Sequence, residues 1–311
     1  MISKMKTSKT IAIAMLAATL AACSSDDNNG TKVPKYINID AKLSPVTKTI
    51  VTSDGVMNFA SGDAISVYAW TGSSTALPAT ADAFVVNGST NTYDGTKWTA
   101  SPQMLWKNVT SPHFFLAVYP ARDILKDKTY TFDVADQDKS DLMVATNFGT
   151  NATGIVATET AIPLAFDHMM AKLQVNLQFR NQWGENGPSS VSAYVNTNTT
   201  ADIDFLAKTV TATGTTSDII LPSVTATVDG YAKSFESILL PVTDLKSIKI
   251  VIDGQNYTYT HDNNIQLQSG KTTIVNLVVG RNEINLGSMS IKGWETLLVI
   301  GDNDNPIEVT E

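Results

Sequence analysis

Residues 166–180, FDHMMAKLQVNLQFR, decide between a helical and a β reading of this chain. Phe166, Met169, Met170 and Leu173 have helical spacing, enough for one turn. Against that, Met169, Ala171, Leu173, Val175, Leu177 and Phe179 occupy six consecutive odd positions, all apolar. Opposite them stand His168, Lys172, Gln174, Asn176, Gln178 and Arg180, interrupted only by Met170. Side chains alternate between faces with period two only in a strand. The stretch therefore predicts one strand with a single face in a core.

The same alternation governs the chain outward from there. In KYINIDAKL, residues 35–43, Ile37, Ile39, Ala41 and Leu43 share a face opposite Tyr36, Asn38, Asp40 and Lys42. SIKIVID repeats the pattern with Ile248, Ile250 and Ile252, while FFLAVYP and AISVYAW are short, aromatic and β-branched. Turn signals such as SDG, SGD, YDGT and DGQN separate these runs. No segment sustains a helical period. Many short strands with frequent turns predict an all-β fold, and the length suits two β-sandwich domains in tandem. The expected halves are 35–162 and 163–311, divided near TNATGIVATETAIP; NQWGENGPSS at 181–190 is the second candidate boundary.

The first thirty residues read differently. Lys4, Lys6 and Lys9 precede an apolar run from Ile11 to Ala22, the pattern of a secretory signal. The run falls short of the roughly 20 residues needed to span a bilayer. Leu20-Ala21-Ala22-Cys23 resembles the lipobox of bacterial lipoproteins. That resemblance implies a signal peptide at 1–22, cleavage before Cys23 and acylation of this residue, the chain's single cysteine. Stable anchoring takes two or more acyl chains, at about 0.8 kcal/mol per buried CH2, and a multiply acylated cysteine supplies them. Residues 23–34, with SSDDNNG after Cys23, read as a flexible tether. SSDDNN also resembles the acidic signal that sends some lipoproteins to the outer face of the outer membrane.

Composition excludes several classes. With Cys23 lipidated, no thiol remains for a disulfide framework or a thiolate metal site. The formal charge of −8 grows more negative once the three signal lysines leave. So acidic a surface disfavours nucleic acid and electrostatic docking on anionic lipid. QSGKTT at 268–273 ends like a phosphate loop, but the required earlier glycine is Ile265 and TIVNLVVG reads as a strand. A hairpin turn is the expectation there. His113, His168 and His261 are scattered and lack the i, i+4 pairing of a helical zinc site. His168 is expected to satisfy hydrogen bonds at the domain junction. The oxygen-rich stretches at 133–141 and 302–304 lack the glycine and terminal glutamate of a calcium loop. No nucleophile elbow or marked carboxylate pair points to catalysis, so no enzyme and no cofactor are expected. Trp70, Trp98, Trp106, Tyr68 and Tyr119 make the first half aromatic-rich. Most should be core, though exposed rings could stack on sugars.

Several phrases in fixed order carry a wider resemblance: FASGDAISVYAW (59–70), MLWKNVTSPHFFLAVYPA (104–121), DLMVAT (141–146), PLAFDHMMAKLQVNL (163–177), LQSGKTTIVNLVV (267–279) and MSIKGW (289–294). The chain resembles the fimbrillin-like lipoproteins, subunits of the lipoprotein-derived (type V) pili of gut and oral anaerobes. The resemblance implies two transthyretin-like β-sandwiches, a surface-exposed, lipid-anchored place on the outer membrane, and other fimbrial subunits as partners. It also implies assembly by strand exchange, in which a protease removes an N-terminal strand and a neighbour's strand fills the groove. Ile37, Ile39, Ala41 and Leu43 then mark the candidate displaced strand, and Leu297, Leu298, Val299 and Ile300 the candidate donor segment.

Family processing is at arginine, and the first arginine here is Arg122. Lys48 stands where cleavage is expected. Either a lysine-directed protease acts there, or the first strand is retained, which suits an anchor or tip. A second function, binding of host or dietary glycans by a surface lipoprotein or tip adhesin, stays open at this stage.

Overall fold

A computed structural model describes residues 34–44, 59–127, 129–131, 140–184, 187–226 and 228–294. Regular structure within them is almost all strand, and the fold is all-β. In the first half run β1 (Ile39–Leu43), β2 (Ala64–Trp70), β3 (Val86–Tyr93), β4 (Trp98–Ser101), β5 (Phe114–Tyr119), β6 (Thr129–Thr131), β7 (Met143–Asn147) and β8 (Ile162–His168). They are followed by β9 (Ala171–Phe179), β10 (Val191–Asp204), β11 (Thr209–Leu221), β12 (Ser223–Val224) and β13 (Lys233–Leu239). The last four are β14 (Val242–Ile252), β15 (Gln255–Leu267), β16 (Lys271–Val279) and β17 (Ile284–Gly293).

Seven strands of the first half form one sheet in the order β1-β8-β7-β5-β2-β3-β4. Its central strands, AISVYAW and FFLAVY, are buried on both faces and not half-buried as short aromatic and β-branched runs suggest. Ile65, Val67, Ala69, Phe115 and Ala117 look into one core, which also receives Ile37, Ala41, Leu164 and Phe166. Tyr68, Trp70, Phe114, Leu116 and Val118 look into a second core. That core continues through Met169 and Met170 into Leu173, Val175 and Leu177 of β9.

The second half supplies two five-stranded sheets, β12-β13-β9-β16-β17 and β11-β10-β14-β15, the latter with β6 added on β10. Ala193, Val195, Ile248, Ile250 and Ile252 share a core with Leu173, Val175, Phe235, Val275 and Leu277, the packing of a β-sandwich. β6 comes from the first half of the sequence yet pairs Thr129 with Asp202 and Thr131 with Thr200. Thr129 Oγ1 also donates to Asp202 Oδ1 at 2.9 Å.

The 166–180 stretch is two strands rather than the one expected. β8 ends at His168 in the seven-stranded sheet, and β9 begins at Ala171 in another. Met169 and Met170 between them are both buried, 2% and 0% exposed. Between these strands the chain leaves the first sheet and enters the second. The expected division at 162/163 falls at the first residue of β8; sheet membership changes at Met169–Met170. The polar face of β9 is also not a solvated one. Ser234 Oγ donates to Asn176 Oδ1 (2.7 Å), Asn176 Nδ2 to Asn276 Oδ1 (2.7 Å), and Asn276 Nδ2 to Ser288 Oγ (2.8 Å). This ladder crosses four neighbouring strands and supplies the partners that buried amides require.

QSGKTT forms a turn between β15 and β16, with Gly270 at φ +66, but not the expected hairpin: β15 pairs with β14 in one sheet and β16 with β9 and β17 in the other, so the chain changes sheet here.

Candidate functional site: the seat of the first strand

β1 and the residues just before it occupy a built seat between the two ends of the seven-stranded sheet. On one side β1 runs parallel to β8, pairing Ile39 with Ile162, Ala41 with Leu164 and Leu43 with Phe166. On the other side the chain meets the segment after β4. Tyr36 bridges Leu105, Ile37 N–H donates to Met104 C=O at 3.0 Å, and Trp106 N–H to Lys35 C=O at 3.3 Å. Two indoles complete the grip. Trp106 Nε1 donates to the carbonyl of Tyr36 (3.1 Å) and Trp98 Nε1 to that of Ala41 (3.3 Å). A sheet whose first and last strands would otherwise be edges is thereby closed across residues 35–43.

The side chains follow the sequence pattern. Ile37 and Ala41 are buried at 1% and 6% exposure, and Ile39 and Leu43 pack partly buried against the same core. Asn38 and Lys42 are exposed. The core that takes Ala41 also holds several aromatic rings. Phe59 packs edge-on against Trp98 (5.0 Å), Phe166 (5.3 Å) and Tyr119 (5.5 Å), and Trp98 lies on Tyr93 at 5.1 Å.

Within residues 35–43 only Ile37 is both large and fully buried, so the hydrogen bonds on the two flanks of this segment carry much of its hold. β1 is thus held as a clamped segment rather than as an element of the main core.

Both indoles are positioned by local chemistry. Trp98 opens β4 after a tight turn in which Asp94 accepts from Lys97 N–H, Thr96 N–H and Thr96 Oγ1. Those bonds, the Lys97 N–H first, hold the Asp94 carboxyl down at about 2. Trp106 stacks edge-on against His113 at 4.9 Å. His113 is fully buried, its Nε2 accepts from Lys107 N–H at 3.2 Å, and its backbone pairs both ways with Ile155. Burial pushes its pKa below the ordinary 6.5, so the ring is kept neutral.

Of the other residues singled out in the sequence, Cys23, Lys48, Leu297, Leu298, Val299 and Ile300 lie outside the described residues. His168 ends β8, where the chain passes from one sheet to the next, with Nδ1 2.9 Å from Asp141 Oδ1 and its ring stacked flat on Trp294 at 4.4 Å. His261 is 2.7 Å from the Tyr259 hydroxyl. The structure does not bring the three histidines together. Among the described residues no group of three His, Cys, Asp or Glu side chains could hold a metal ion. Tyr68, Trp70 and Trp106 are buried. The roles of Trp98 and Trp106 as backbone donors to residues 36 and 41 were missed in the sequence. An amphipathic first strand in a tryptophan-rich half was the one available signal, and it names no partner.

Comparison with known proteins places this geometry. In structure the chain is similar to a candidate cell adhesion protein of Bacteroides uniformis, at 20% identity and a TM-score of 0.63, covering 83% of this chain and 99% of that one. A candidate cell adhesion protein of Bacteroides ovatus is similar at 16% identity and 0.64, covering 85% and 99%. These likenesses show the fold. Among curated proteins none matches the sequence. The model of the fimbrillin-like family matches residues 47–294, a span that begins beyond β1 and ends at Trp294. That family is fimbrial and structural rather than enzymatic. With four-fifths of its length matched, the chain belongs to the fimbrillin-like family.

Proposed function

We propose that this protein is a structural subunit of a cell-surface fimbrium, built as two transthyretin-like β-sandwich domains in tandem and assembled by exchange of its first strand. The observation that carries the reading is the seat of β1: a short, clamped, parallel strand closes an otherwise open sheet. Withdrawing it uncovers the apolar side chains that meet Ile37 and Ala41 and frees the backbone groups of β8 and of residues 104–106. A strand from a neighbouring subunit restores both. Lys48 is the processing site, five residues beyond β1. Residues 297–300 supply the donor.

Export follows from the first 23 residues. The signal is removed, Cys23 is acylated, and residues 23–34 tether the subunit to the outer face of the outer membrane. Other fimbrial subunits are the partners. Intact-mass spectrometry of protein purified from membranes tests the anchor: a mass gain on the peptide beginning at Cys23 supports it, and a free thiol overturns it.

The exchange itself is tested by limited digestion with a lysine-cleaving protease, followed by a denaturing gel without boiling. A ladder of oligomers that appears with cleavage at Lys48, and not in Lys48→Ala, supports exchange. A product that stays monomeric after complete cleavage overturns the polymerising role.

A further inference from the structure

The seat of β1 has a steric pattern of its own, which deepens the strand-exchange reading and rests on it. The position of Ile37 is wide, taking a fully buried branched side chain. Position 41 holds a buried methyl group, Ala41 being 6% exposed in the core that also holds Phe59 and Phe166, and close packing makes it narrow. Its carbonyl receives the Trp98 indole, and Phe59 joins Trp98 to Phe166 in one packed set of rings. Positions 39 and 43 between and beyond them are half-open. The two indoles and the 104–106 backbone bond only main-chain groups, so they grip any strand in this register and read no side chain.

From this we infer that the seat selects an incoming strand by size, large at position 37 and small at position 41, held parallel to β8 by Trp98 and Trp106, and that residues 297–303 of a second copy fit it in one register. Leu297 takes the place of Ile37, Val299 that of Ile39, and Gly301 that of Ala41. Sliding by one residue puts Asp302 at the narrow position, and sliding the other way puts Ile300 there. The tail segment containing Ile307 and Val309 offers no register with a large residue at 37 and a small one at 41: Ile307 at 37 brings Glu311 to 41. In the single register that fits, Leu298 and Ile300 face outward where Asn38 and Asp40 stand.

The test uses the full chain with a protease site inserted between Ser44 and Pro45. Nicking there leaves the first strand in place but no longer covalently held. Fluorescent peptides copying residues 295–304 are then offered, and their entry and the release of the nicked segment are followed by anisotropy and native mass spectrometry. The wild-type peptide should enter, a peptide carrying Gly301→Leu should bind at least tenfold more weakly, and one carrying Asp302→Leu should bind like wild type. In the protein, Trp98→Phe and Trp106→Phe should each speed release of the nicked strand about fivefold to tenfold, one net hydrogen bond being lost. Circular dichroism and the melting of the rest of the chain confirm that these variants fold. Entry of the Gly301→Leu peptide with undiminished affinity, or release rates unmoved in folded Trp98→Phe and Trp106→Phe, overturns the size-and-grip inference while leaving exchange intact. A nicked strand that never leaves and a seat that no peptide enters overturn both.

Discussion

Among the described residues two strand pairs run parallel, and they are built for different ends. β9 and β16 pair over eight residues at the centre of their sheet, with β13 and β17 outside them. β1 and β8 pair over five residues at the margin of theirs. Leu173, Val175, Leu177, Val275, Leu277 and Val279 are all fully buried, whereas β1 and its approach bury Ile37 and Ala41 deeply and Ile39 and Leu43 only in part. Parallel pairing needs both faces covered to be stable. The central pair has that cover from the sandwich core and the amide ladder. The marginal pair has it on one face and is completed by indole donors from the far end of the sheet. Same geometry, different depth: one pair is a keel and the other a latch.

The contrast is broken most severely by substitutions in the keel. Leu173→Ala should lower global stability by about 2–5 kcal/mol, the cost of a cavity in a core that cannot collapse. A single shifted transition in urea or heat is the expected result, with the whole second half affected. Ala41→Leu should cost about 1–3 kcal/mol through overpacking of the core in which Ala41 is buried. Its effect should be confined to the latch. Amide exchange in residues 37–43 should quicken while β9 and β16 keep wild-type protection.

Acid sharpens the same comparison through His113 behind Trp106. Its folded pKa lies below the ordinary 6.5, so above that value both folded and unfolded chains carry a neutral ring and nothing is gained or lost. As pH falls below 6.5 the unfolded chain takes up the proton first, and the folded state is destabilised. Unfolding at pH 7.5 and 5.5 should show lower stability at the acid value, and His113→Gln should shrink that difference. The smallest effect belongs to Asp94. Its depressed pKa makes a contribution present above 3.8 and lost as pH falls toward 2. Asp94→Ala should slightly loosen the β3–β4 turn and blue- or red-shift Trp98 fluorescence at neutral pH, with no change in β9 protection.

Sequence periodicity disclosed what is local. The inward face of β1 matches the alternation of KYINIDAKL residue for residue, and the turn at QSGKTT follows from its turn residues, but the change of sheet it makes does not, because turn residues name no strand partner. The strand at 166–180 was legible as β but not as two strands, because alternation reports faces and not sheet membership. Met170, the lone exception to the polar face, marked the crossing. Asn176 gave no sign in the sequence of being buried, because its partners Ser234 and Asn276 lie 58 and 100 residues away. The indole grips were hidden for the same reason. Trp98 and Trp106 reach β1 only once the two ends of the sheet have met.

Native-state hydrogen exchange on the full chain tests the latch most directly. The amides of residues 37–43 and those of residues 104–106 should exchange together in one partial opening, well before the amides of β9 and β16, which should report only global unfolding. If residues 37–43 and β16 exchanged in a single event of equal free energy, the first strand would be an inseparable part of the core, and the account given for it would be wrong.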